Sequence, residues 1–352
     1  MSKGQINMGL NWVYVAIVGG LIILLAIIIV SNIQSESEKD IINNIKNELR
    51  NFFTTAGTTE KTLFKMTMPS KPLYYTDCST GITVGSFGGP AVDENMKNVF
   101  LPNIVKSEIG HIWLWTIDWD VPYHTENFVF MASPEVVYII VDDGNYAYDL
   151  LDDPVHKIPD NITRIKTDNL FNLNFNEMQM IEGAYQVNII SFDNDFSVPL
   201  DINKAVEKVY KTRFYEINHG LDGYGKVEFG EWSGSSWINE GVSDFFGRAM
   251  AYGAIFSDDL EHYECGLKYG LEKLKGVTEV YQKRMEKIYE DLGDDECIWY
   301  IALRTTGGNA LEDLDNYLSQ LETGDVEDYY TYSTSVSQTN DELELQGCPK
   351  IY

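Results

Sequence analysis

The chain has 352 residues, 54 of them acidic and 26 basic, for a formal net charge of -28. A surface that negative repels polynucleotide phosphates and anionic lipid, which excludes a nucleic-acid partner. At 44% hydrophobic and 13% aromatic residues the chain is globular rather than disordered, and long enough to bury one large core or two smaller ones.

Leu10–Val30 is a run of 21 uncharged residues, interrupted only by Asn11 and by Gly19-Gly20. At about 1.5 Å per residue it extends roughly 31 Å, against about 30 Å for a bilayer core, so a transmembrane helix is expected there. A secretory signal has a shorter apolar region, and no small-x-small cleavage site follows Val30. Trp12 and Tyr14 suit the headgroup layer. Lys3 precedes the run, while Glu36 and Glu38 follow it, so the charge bias puts residues 1–9 inside the cell and everything after the span outside. Over 31–57, Ile41, Ile42, Ile45, Leu49, Phe52 and Phe53 form one stripe, expected as a helical stalk that Gly57 ends or, nearly equally, as an ordinary helix packed on the ectodomain.

From Thr62 the pattern becomes strand-like: LFKMTM, PLYYTDC, GITVGSF, IWLWTIDWDV, NFVFMAS and VVYIIVDD. In the fourth, Trp113, Trp115, Ile117, Trp119 and Val121 share one face by period two, with Asp118 and Asp120 on the other. So dense an aromatic face demands burial, although it also suits a sugar-binding platform. Val136–Val141 and Val187–Phe192 are apolar runs ending in Asp142-Asp143-Gly144 and in Asp193. Enough chain separates them for a crossover, so a βαβ unit is expected. VYKTRFYEI and KVEFGEW follow as strands, joined by the turn His219 to Gly225.

From Phe245 the pattern turns helical, with Leu267, Leu271, Leu274, Tyr281, Met285, Ile288 and Leu292 at threes and fours and Gly276 among them. A second helix begins near Cys297 and resumes after Gly307-Gly308 with Leu311, Leu314, Leu318 and Leu321, which predicts an antiparallel hairpin. Gly324 to Asp341 is polar, and QGCPKIY reads as a tail docked on the body. The expected organisation is thus a mixed α+β or α/β ectodomain at 58–244 and a helical hairpin with its tail at 245–352.

Cys78, Cys265, Cys297 and Cys348 are an even number, as two disulfides require, with three pairings open. An unbroken first helix carries the chain roughly 38 Å between Cys265 and the start of the second, so pairing Cys265 with Cys297 requires a break at Gly276. No Cys-x-x-Cys pair is present and the cysteines lie far apart, so no metal site is expected on them. Asn161-Ile162-Thr163 is a glycosylation sequon.

The chain carries no His-Glu-x-x-His, Gly-x-Ser-x-Gly or Walker-type motif. Its five histidines, at 111, 124, 156, 219 and 262, are scattered. The best constellation is Asp118, Asp120 and His124, since Asp-x-Asp puts two carboxylates on one strand face with a histidine just beyond Pro122. Such a face can hold a divalent ion or support acid and base work, and it is equally what a solvated strand edge carries.

Several stretches together, KGQINMGLNW, WTIDWDVPYHTENFVFMASP with VVYIIV, AYGAIFS followed by YECGLKYGLEKLKGVTEVYQKR, and the ending GCPKIY, resemble a group of membrane-anchored proteins of small-genome archaea of the woesearchaeal and pacearchaeal kind. The resemblance implies an archaeal surface location and cysteines set within the group's motifs, and brings no activity with it. Lys3-Gly4-Gln5 before the apolar run also resembles a type IV prepilin cleavage site, cut between Gly4 and Gln5, although Gly9 stands where a mature pilin carries glutamate.

The expected function is a single-pass, non-enzymatic cell-surface protein with a binding or structural role and no cofactor. Its partners are the membrane, through Leu10–Val30, and other surface or pilus-like proteins. The alternatives are a minor pilin-like subunit and a surface glycan-binding or hydrolytic enzyme using Asp118, Asp120 and His124.

Overall fold

The computed structural model describes positions 40, 43–52, 55, 62–67, 73–77, 81–85, 91–94, 99–100, 102, 104–106, 110–141, 146–152, 158–192, 196–292, 296–304 and 308–352. The strands are β1 (Leu63–Thr67), β2 (Leu73–Asp77), β3 (Gly81–Gly85), β4 (Ala91–Glu94), β5 (Val99–Phe100), β6 (Ile104–Lys106), β7 (His111–Asp120), β8 (His124–Ala132), β9 (Val136–Val141), β10 (Thr163–Thr167), β11 (Gln186–Phe192), β12 (Lys208–Asn218), β13 (Tyr224–Trp232) and β14 (Trp237–Phe246). The α-helices named below are α1 (Tyr146–Leu151), α2 (Phe175–Glu182), α3 (Leu200–Ala205), α4 (Arg248–Phe256), α5 (Leu260–Leu292), α6 (Ala310–Thr323) and α7 (Val326–Leu345).

The strands make a sheet of order β1-β7-β8-β5, an antiparallel one of order β4-β3-β2-β6, and a six-stranded one of order β10-β9-β11-β12-β13-β14. In the six-stranded sheet β10, β9, β11 and β12 are parallel, so β9 and β11 are the expected crossover pair. β10 adds on the far side of β9, and β13 and β14 continue antiparallel. β9 and β11 are buried along nearly their whole length because both faces are covered. Val136, Tyr138, Ile140, Ile190 and Phe192 join the main core with Ala147 and Leu150 of α1, while Val137, Ile139, Val187 and Ile189 join a second core with Ile181 of α2 and Ile202 of α3. The acidic turns that follow β9 and β11 in sequence lie outside the described residues.

β7 buries Trp115, Ile117 and Trp119 on its main-core face, as its alternation predicts. Ile112 and Leu114 on the opposite face are also fully buried, so solvent reaches that side only near Asp120. α4 differs from an amphipathic helix, because every residue from Ala249 to Phe256 is buried. It lies between two sheets: the Phe256 ring meets Trp115 at 4.7 Å and Phe130 at 6.0 Å on one side, and Tyr138 at 4.8 Å on the other. Phe100 of β5 wedges against α4 and α5 where both carry glycine, since a Cβ on Gly253 would stand 2.7 Å from its ring and one on Gly266 closer still.

α5 runs unbroken through Gly276 for 33 residues. α6 packs back along it, with Asn309 as N-cap accepting the Glu312 N–H. The polar stretch after Gly324 is α7, capped by Asp325. Its hydroxyls explain its composition, because Ser335 and Thr339 donate to the buried Asp313 of α6 at 3.0 and 2.5 Å. The tail is docked, with the Ile351 and Tyr352 N–H groups donating to Asn340 Oδ1 at 2.8 and 3.2 Å and Arg284 reaching the Ile351 carbonyl at 2.8 Å. Cys297 is bonded to Cys348, with Cα atoms 5.5 Å apart. Cys265 is disulfide-bonded too, and Cys78 lies outside the described residues.

The membrane-anchored architecture is corrected. Among the described residues no helix is long and apolar enough to cross a membrane. α5 has the length, roughly 50 Å at 1.5 Å per residue, yet charged residues from Glu261 to Asp291 are spread along it. Leu10–Val30 and the Gly4-Gln5 site lie outside the described residues. The supported fold is a mixed α/β globular body. A single-pass topology, its inside and outside assignment, the cell-membrane location and a membrane partner have no element in it. Within the helical stretch 43–52, Ile45 and Leu49 are buried and Phe52 stacks on Phe64 of β1 at 5.5 Å, which favours the packed helix over a free stalk for these residues.

Replacing Gly266 by Ala should destabilise the protein by about 1–3 kcal/mol in urea unfolding, since the added methyl meets a ring with no room to retreat. Combining it with Phe100→Leu should recover part of that loss. Replacing Cys297 by Ser frees a loop spanning 51 residues. It should cost about 4 kcal/mol on chain-entropy grounds, read as a lower melting temperature than that of the oxidised protein.

Candidate functional site

The structure brings two of the three expected site residues together. The β7–β8 register sets Asp120 opposite His124, and His124 Nδ1 lies 3.0 Å from Asp120 Oδ1 with both side chains about half exposed, at 47% and 53%. Asp118 instead faces Asn127, and its Oδ1 is buried without a hydrogen-bond partner. Among the described residues no group of three or more His, Cys, Asp or Glu side chains is placed to hold a metal ion. An exposed pair of this kind is screened by solvent and holds little energy. His111 packs edge-on to Trp113, His219 stacks on Tyr330 and His156 lies outside the described residues. Asn161 is exposed in the turn before β10.

A different site emerges where β14, α4 and α5 meet. α4 ends at Phe256, and the chain turns through Ser257, Asp258 and Asp259 into α5. Asp259 caps α5: its Oδ1 accepts the His262 backbone N–H at 2.9 Å, and the His262 ring lies 2.7 Å from the same oxygen. Burial acts to raise the Asp259 carboxyl, but the hydrogen bonds from the His262 ring and backbone outweigh it and hold the group below its ordinary value. From β14, Glu240 Oε2 accepts the Leu260 N–H at 3.4 Å. Glu240 is exposed, yet desolvation against the start of α5 raises its carboxyl, with Asp259 and Glu231 adding like charge and the Leu260 bond opposing.

These side chains line an open cleft of about 560 Å³, walled by Glu240 and Asp259, by Glu261, Glu264 and Lys268 of α5, and by the apolar Leu260 and Cys265. Next to Asp259, Asp258 is 3% exposed and accepts from Gln186 Nε2 at 2.8 Å and Asn188 Nδ2 at 3.0 Å. Burial pushes its carboxyl up to about 7 against the pull of the Asn188 bond, with the Asp259 charge adding to the rise and the Gln186 bond and Lys208 opposing. Gln186 opens β11 and Lys208 opens β12, so the site lies at the amino ends of the parallel strands. Sequence reasoning missed it. The available signal was Ser-Asp-Asp directly before a periodic helix, which marks an N-cap.

No family model, no curated protein and no solved structure matches the chain.

Replacing Asp259 by Ala should cost about 1 kcal/mol through loss of the cap. The loss should shrink as the pH falls below the ordinary carboxylate value of 3.8, because a carboxyl lowered in the folded state contributes stability above that value and loses it on protonation. Urea midpoints of wild type and variant across pH check both statements.

Proposed function

We propose that the chain is a binding protein rather than an enzyme, and that the cleft between β14 and α5 takes an organic cation of the alkylammonium class. The observation that carries the reading is the gathering of Glu240, Asp259, Glu261 and Glu264 on one cleft, where desolvation and the like charge of Asp259 and Glu231 raise the Glu240 carboxyl although its side chain is exposed. A cation entering there relieves both penalties. The volume exceeds what a bare ion needs, and Leu260 and Cys265 offer apolar surface to an aliphatic stretch between amines. The net charge of -28 draws cations toward the surface.

Calorimetric titration with spermidine at low salt tests the reading. Binding should weaken with added salt, and Glu240→Gln combined with Glu264→Gln should weaken it at least tenfold, about 1.4 kcal/mol, with the melting temperature unchanged. Equal binding by wild type and double variant, or no heat with wild type at low salt, overturns it.

A further inference from the structure

Asp258 occupies a corner that is wholly inside the protein. Its partners are neutral: the Gln186 and Asn188 amides both donate to Oδ1, and Gln186 Nε2 also reaches Asn188 Oδ1 at 2.8 Å. Among the described residues no lysine, arginine or histidine lies within ion-pair distance of its carboxyl. The groups that face it are Tyr138 from β9, Lys208 and Tyr210 from β12, and Asp259 beside it in the chain. Lys208, the one cation among them, donates to the Tyr210 hydroxyl at 2.7 Å. The Tyr138 hydroxyl and Ser257 Oγ are buried without hydrogen-bond partners. A carboxylate in such surroundings bears a desolvation cost that two amide bonds to one oxygen offset only in part.

From this geometry we infer that the α4–α5 corner is a proton-operated latch, closed on β11 while Asp258 is protonated and loosened as Asp258 ionises, so that acidification tightens the first turns of α5. It does not depend on what the neighbouring cleft binds. Burial holds the folded-state carboxyl up at about 7, against 3.8 for the ordinary group. A carboxyl raised in the folded state stabilises it fully below 3.8, loses that contribution as pH climbs toward 7, and is level above. Asp259 sits on the same turn, but its carboxyl is shifted the opposite way and destabilises on acidification, so the two have opposite signs.

Amide hydrogen exchange over Tyr263 to Leu267, corrected for intrinsic rates, reads the latch. In wild type the opening constant should rise by up to about tenfold per pH unit between roughly pH 5 and 6.5 and level off above neutrality. Asp258→Asn, neutral at every pH, should abolish the rise. Lys208→Met removes an exposed charge that favours the ionised form, and should move the levelling point to higher pH. A flat wild-type profile overturns the inference, as does an unchanged slope in Asp258→Asn. Should Asp258→Asn fail to fold, the levelling point of Lys208→Met decides, and its coincidence with wild type counts against the latch.

Discussion

A helix with no exposed side governs this fold. Ala249 to Phe256 are buried in succession, which requires a covering layer in every direction. The sheet carrying β7 and β8 supplies one, the six-stranded sheet another, and the start of α5 a third. That is why one core runs from Phe100 to Ile351, drawing together the strands and the helices of the second half. It is also why polar chemistry appears at the exit from α4. A chain that reverses direction at the edge of a core must satisfy its polar groups with little water, and Asp258 does so through Gln186 and Asn188 while the Ser257 hydroxyl stays unpartnered.

The long aromatic side chains fasten the layers at their polar tips. Trp119 Nε1 donates to the Phe246 carbonyl at 2.8 Å, joining β7 to the end of β14 just before α4 begins. Tyr263 donates to the Asp244 carbonyl at 2.7 Å and Tyr317 to the Val121 carbonyl at 2.9 Å, while Tyr123 bonds to Thr278. Each of these four rings buries apolar surface and bonds its one polar atom to another element.

Sequence pattern reached the strands whose signal is local. β7, β8, β9, β11, β12 and β13 each carry a run or alternation of apolar residues, and the spacing of α5 survives Gly276 because one glycine costs a long helix only about 1 kcal/mol. It failed where burial is decided at a distance. α7 is written in Tyr, Ser and Thr, and two of its hydroxyls face Asp313 rather than solvent. Phe245 and Phe246 look like the start of a helix but close β14. The corner at Asp258 was illegible for the same reason: its partners lie 70 and 72 positions earlier in the chain. Asp120 and His124 were found because a tight hairpin joins them, whereas Asp118 belongs to a cross-strand pair with Asn127 that no motif announces.

The contact of Phe100 with Gly253 and Gly266 bears on how such a sequence diversifies. With the ring in place, neither glycine can acquire a side chain without a penalty, and the two sites are therefore not free to drift singly. A smaller residue at position 100 is the permissive step that has to come first, so the order of substitutions is constrained as well as their identity.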